Sequence, residues 1–189
     1  METKKIFTEN EENWEYNSRI SHGENIWLEQ GEGYKLAIEL LEKDVIENDR
    51  KNQDFLIYPY CFLIRHYIEI RLKEIIWECK RFKHEEYFPA KDNHDLNNLF
   101  RDAQIELKLF WIDSYINAPL EVKDFIKQMQ NIDPTSAAFR FPVDKKNKNS
   151  LKSLTEINFK ILSEDFETVK NYFESVTDGI ASCSDLNDN

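Results

Sequence analysis

The chain of 189 residues carries 36 acidic against 25 basic side chains, a formal charge of −11, with 41% hydrophobic residues. That content can bury one proper core, so a single domain is expected. The acidity repels polyanions at long range and disfavours general nucleic-acid coating, while leaving room for one local basic pocket.

Residues 1–22 are polar and charged, with Ile6, Phe7, Trp14, Tyr16 and Ile20 available for burial. The first dozen are expected to fray, with Trp14 and Tyr16 docking locally. From Glu24 to Asn48, Ile26, Trp27, Tyr34, Leu36, Ala37, Leu40, Leu41, Val45 and Ile46 recur at helical spacing, which predicts a first bundle helix with a loose waist at Gly31 and Gly33. Pro59 is tolerated in a helix's first turn, and Asp54 can serve its start, so a long helix is predicted over 56–82.

After a charged connection ending in Pro89, Asp92 or Asn93 can cap a helix carrying His94, Asp95, Leu96, Leu99, Phe100, Ala103 and Leu107. Asn117-Ala118-Pro119 restarts a short amphipathic helix that Asp133-Pro134 closes, because the residue before proline resists helical geometry. Phe139, Phe141 and Val143 alternate with polar or proline positions, as do Ile157, Phe159 and Ile161, across a lysine-rich linker. That alternation predicts a small β-hairpin insertion near 139–161. Ser163 is read as the start of the last helix and Asp178-Gly179 as its stop. The expectation is an all-α, antiparallel helical bundle of about five helices over 23–178, followed by a flexible tail at 179–189.

Cys61, Cys79 and Cys183 are an odd number that matches no zinc spacing, and are read as the thiols of a reduced cytoplasmic protein. No signal-peptide pattern opens the chain, and charges interrupt its longest apolar run, so no membrane span is expected.

That run, Tyr60 to Phe82, holds the most informative residues. Arg65, His66, Glu69 and Lys73 fall at i, i+1, i+4 and i+8 and form one polar stripe on a helix otherwise walled by apolar side chains. Such a stripe faces solvent, a partner subunit or a functional cleft. The plainer reading is a set of ordinary i,i+4 ion pairs, each worth about 0.3–0.5 kcal/mol when exposed. His94-Asp95-Leu96 is the second candidate, with a plain reading in which Asp95 caps the helix and His94 packs over the long helix. The third is Phe139-Arg140-Phe141-Pro142 with Asp144, where Arg140 can also serve as a buried tie, stacked between phenylalanines and donating to Glu69 or Asp144. None of these offers a zinc ligand set, so neither metal nor cofactor is expected.

Taken together, Arg65-His66-Tyr67-Ile68-Glu69-Ile70-Arg71-Leu72-Lys73, His94-Asp95-Leu96 and Phe139-Arg140-Phe141-Pro142-Val143-Asp144 resemble a bacterial group of HEPN-like proteins over roughly residues 34–175. The resemblance implies a helical bundle that commonly dimerises, in a superfamily of metal-independent ribonucleases from toxin, phage-defence and RNA-processing systems and of non-catalytic binding members. The superfamily's signature is an arginine, four to six residues, then a histidine on one helix. Here Arg65 directly precedes His66, and no histidine follows Arg65, Arg71 or Arg81 at that spacing. A rearranged site would need His94 to fold back toward Arg65.

RNA cleavage by its own 2′-hydroxyl needs a base near neutral pKa and a cation for the phosphorane charge. His66 or His94 is the candidate base, and Arg65, Lys73 or Arg140 the cation, with Glu69, Asp95 and Asp144 in support. Two other expectations stand beside this enzyme: an inert homodimeric module that binds a protein or nucleotide, and a purely structural phage or mobile-element protein. The four tryptophans and many other aromatics suit a subunit interface.

Overall fold

The computed structural model describes residues 14–20, 26–84, 93–111, 117–152 and 154–187. The expected fraying of the first dozen residues and the connection through Pro89 and Asp92 lie outside them. After a 3-10 turn at Trp14–Tyr16 come five helices: α1 Ile26–Glu47, α2 Gln53–Phe82, α3 Leu96–Phe110, α4 Leu120–Ile132 and α5 Phe159–Asn187. Among the described residues no helix is long and apolar enough to cross a membrane.

The apolar circumference of α2 decides the architecture, because a helix without a polar face must be surrounded. It packs against α1, α3 and α5, while α4 bridges α3 and α5. Ile64, Tyr67, Ile68, Leu72, Ile75 and Ile76 of α2 are all at or below 2% exposure and meet Ile38, Leu96, Leu99, Val122, Phe166 and Phe173 in one core. Tyr67 receives the edges of Phe166 and Phe173, and Tyr60 meets Phe159.

The helix directions differ from a simple antiparallel bundle. α1 runs against α2, with Gly31 beside Arg71 and Glu42 bonded to Tyr60. α3, however, runs with α2: contacts progress from Arg65 and His94 to Lys80 with Glu106 and Phe82 with Phe110. α5 also follows α2, from the Tyr60–Phe159 contact to Tyr67–Phe173.

Five local expectations are corrected. Among the described residues the expected hairpin near 139–161 is not formed: a single antiparallel bridge, Val143 with Asn149, closes a loop in which Asn147 takes φ 57°. Ile157 precedes α5, whereas Phe159 and Ile161 lie within it, because the Asn158 side chain accepts from the Ile161 amide and starts the helix five residues before Ser163. The Ser163 hydroxyl instead donates to Glu42. Gly179 does not stop α5: its missing Cβ admits the Trp111 ring, whose nearest atom would stand 2.9 Å from one, and the helix continues to Asn187. Pro59 sits in the second turn of α2, where Phe55 is 77% exposed, so water can serve the carbonyl that proline leaves without a donor. Trp14 and Tyr16 do not dock, being 72% and 80% exposed.

Gly31 and Gly33 leave α1 continuous, and only one is there for packing. A Cβ at Gly31 would lie 2.8 Å from the Arg71 guanidinium carbon, while one at Gly33 meets nothing within 4 Å. Gly31→Ala is therefore expected to destabilise by about 1–3 kcal/mol through overpacking. Gly33→Ala should stabilise by about 0.4–1 kcal/mol through helix propensity. Urea denaturation of both variants checks the contrast.

Candidate functional site

Arg65 is the centre of the site and is wholly enclosed, at 0% exposure. Its Nε donates to the Asp133 carbonyl at 2.8 Å, its Nη2 to the His94 carbonyl at 2.7 Å, and its Nη1 to Glu69 Oε2 at 3.2 Å. The other oxygen of Glu69 accepts from Lys73 Nζ at 2.8 Å and lies 2.8 Å from His94 Nδ1. Glu69 and Lys73 are themselves 3% and 7% exposed. The stripe thus faces neither solvent nor an open cleft, because the start of α3 and the end of α4 cover it.

Burial alone would raise the pKa of Glu69. Hydrogen bonds from Lys73 and His94, with the charge on Lys73, outweigh that effect and hold it below its ordinary 4.5. The His94 side chain is 47% exposed, so a buried carboxylate orients an imidazole that reaches the surface.

Asp95 and Asp133 build the frame. Asp95 is the N-cap of α3, accepting from the Asn98 amide at 2.8 Å, and its other oxygen meets Gln130 Nε2 at 3.4 Å. Gln130 also accepts from the Leu96 amide and donates to the Pro134 carbonyl, which ties α3 to the end of α4. Asp133, fully buried, accepts from the amides of Ala137 and Ala138 through Oδ1, and its Oδ2 stands 3.9 Å from Arg65 Nε. Sequence reasoning missed Asp133 and Gln130. Asp133 had been read only as a residue before proline, and nothing in the local pattern marks a carboxylate that turns back to meet a buried arginine.

The remaining candidates lie beside this cluster rather than in it. His66 is half-buried, edge-on to Tyr34 at 4.6 Å and stacked with Phe62 at 5.7 Å. Burial lowers its pKa; Glu69 draws it upward, and Lys73, Arg65 and Arg140 press it down. Arg140 is exposed and sits over the Phe62 and Phe141 rings at 5.5 Å each, donating through Nε to the Ser136 carbonyl. It stacks on two phenylalanines as a tie would, but it is exposed rather than buried, and neither Glu69 nor Asp144 is its acceptor. Asp144 stands apart: its carboxylate accepts from the amides of Lys146 and Lys148 and shapes its own loop.

A second ionic cluster went unmarked in the sequence. Arg71, 1% exposed, pairs with Glu74 at 2.8 Å and with Glu32 of α1, and lies 5.2 Å from the centre of the Tyr67 ring. Lys35 pairs with Glu32 and reaches Glu174 of α5 at 3.0 Å. Burial raises the pKa of Glu74 despite Arg71. Cys61 and Cys79 are buried free thiols pushed up to about 12 by burial, which leaves them unreactive at neutral pH. Among the described residues no group of three or more His, Cys, Asp or Glu is arranged to hold a metal ion.

No protein-family model, curated protein or solved structure matches the chain. The reading of this site therefore rests on its own chemistry.

Two outcomes test that chemistry. Arg65→Met leaves Glu69 Oε2 and the Asp133 and His94 carbonyls without the guanidinium donor and should cost about 3–5 kcal/mol in denaturant titration, whereas Arg140→Ala should cost less than about 1 kcal/mol. In the pH dependence, His66 and Glu69 are both depressed, so each contributes stability above its ordinary pKa and loses it as pH falls. The loss from His66 begins below 6.5 and that from Glu69 below 4.5. Glu74, raised by burial, acts in the opposite sense above 4.5. The stability difference between the parent and His66→Gln should therefore shift as pH falls below 6.5, and that between the parent and Glu69→Gln only below 4.5.

Proposed function

We propose that the chain is a catalytically inert, HEPN-like helical module of a bacterial or phage conflict system, acting in the cytoplasm as a homodimer that binds a macromolecular partner. The observation that carries this reading is the occupancy of Arg65. Its Nε, Nη1 and Nη2 are engaged by Asp133, Glu69 and the His94 carbonyl, and its side chain is 0% exposed. A cation that stabilises a developing phosphorane must offer a donor to substrate. Lys73 is likewise spent on Glu69. Buried ionic groups of this kind serve to fix which residues face one another across packed helices.

One observation favours the second reading, a metal-independent endoribonuclease. Glu69 holds the Nδ1 edge of a half-exposed His94, the arrangement that orients an imidazole as a general base. Arg140 would then supply the exposed cation. Incubating purified protein with total and transfer RNA in EDTA separates the two. The inert module predicts no cleavage by the parent. Cleavage that disappears in His94→Gln or Arg140→Ala, with circular dichroism unchanged, would establish the ribonuclease instead; both variants leave the Arg65 framework in place.

A further inference from the structure

Opposite in character to the enclosed Arg65 cluster is the segment from Arg140 to Lys160. It carries six cations against two carboxylates in a chain whose net charge is −11. Lys145, Lys146, Lys148 and Lys152 are all exposed. Among the described residues none of them is held in an ion pair. The carboxylate nearest in sequence, Asp144, is turned to the amides of Lys146 and Lys148, so the loop's own acid is spent on shaping it.

Lys145, Lys146 and Lys148 lie on the loop between Pro142 and Asn149, which both line a groove between the first turns of α2 and the 138–160 segment, and Lys152 follows Leu151, which lines it too. The groove's volume is about 1260 Å³, above the range of about 300–1000 Å³ typical for one small ligand and suited to an extended chain. Arg50, Arg140 and Lys160 line it together with Tyr58 and Phe141. These two aromatic side chains are 51% and 55% exposed. Arg140 stacks on Phe141 while its Nε is anchored to Ser136, so this ring is held at the groove by a cation rather than left free.

Resting on the reading of the chain as an inert binding module, we propose that this groove binds single-stranded nucleic acid without cutting it. Arg50, Arg140 and Lys160, with the lysines of the adjoining loop, take the phosphates, and Tyr58 and Phe141 take bases on their faces. Stacking on an exposed aromatic ring together with a basic track is the chemistry by which single strands are held without regard to sequence. An acidic peptide would use the lysines and leave both rings idle. A duplex hides its base faces and would do the same. Asp54 and Glu156 also line the groove, and the acidic body surrounds it. Binding is therefore expected to be weak and strongly dependent on salt, since only the local cations oppose the chain's overall charge.

The test is fluorescence anisotropy of a labelled 15-nucleotide mixed-sequence RNA in EDTA, with the full chain titrated at 50 to 200 mM salt. Four neutralised phosphates predict a slope of log affinity against log salt of about −3. Substituting Lys145→Glu, Lys146→Glu and Lys148→Glu together should weaken binding at least tenfold. Phe141→Ala should weaken it by roughly 5- to 150-fold, the range for loss of one stacked base. All four positions are exposed, and circular dichroism checks the fold. Three results overturn the proposal: no binding at 50 mM salt, Phe141→Ala binding as well as the parent, or displacement by polyglutamate as effective as by unlabelled RNA. A denaturing gel of the same mixtures keeps the two readings apart. Shortened RNA sinks the inert module whatever the anisotropy shows, whereas intact RNA without binding sinks the groove and leaves the module standing.

Discussion

A guanidinium with no access to water must have its donors answered from within, and in this chain that requirement is placed at Arg65. Leaving such a charge unmatched would cost several kcal/mol. Two of its three recorded acceptors are backbone carbonyls at helix ends: Asp133, the C-cap of α4, and His94, the residue before the N-cap of α3. Helix C-termini leave carbonyls without donors and carry partial negative charge. The cation and the end of α4 therefore solve each other's problem, and the positions of α3 and α4 over α2 follow from it.

The same logic operates on another face of α2. Arg71 binds Glu32 of α1 where Gly31 makes room for it, and Lys35 extends the chain of pairs to Glu174 of α5. Each cluster pairs cations with carboxylates at fixed heights along α2. Sliding any neighbouring helix by one turn would separate these groups by about 5.4 Å, so the ionic groups specify a register that the aliphatic core alone would hold less tightly. This role needs no substrate, and it accounts for charged side chains in the most apolar stretch of the chain.

How much of this was legible in the sequence depended on the range of the signal. Periodicity located α1, α2 and α4 closely, because apolar positions at helical spacing report directly on burial. The stripe of Arg65, Glu69 and Lys73 was visible because three charges interrupt an apolar run at i+4 spacing. Its burial was not, because the covering residues lie 29 and 68 positions away. Arg71 lies in the same run, but nothing local marks its partner, because Glu32 stands 39 positions away on another helix. The alternation of Phe139, Phe141 and Val143 imitated a strand, but Phe139 is buried while Phe141 and Val143 stay exposed. Gly179 looked like a helix stop because only the distant Trp111 reveals why a glycine is needed there. His94 was found by its unusual company with Asp95, although its link to Glu69 was a matter of fold rather than pattern.

Because one side chain holds both the His94 and the Asp133 carbonyls, Arg65 works on the stretch between them as a non-covalent staple. It closes α3 and α4 into a loop pinned at its two ends to a single point on α2. In polymer terms, its three hydrogen bonds offset a closure entropy that grows only logarithmically with loop length. Losing that guanidinium would free both ends together, and the pair would then be held by the apolar contacts of Leu96, Leu99 and Ala103 of α3 and Val122, Phe125 and Ile126 of α4 in the common core.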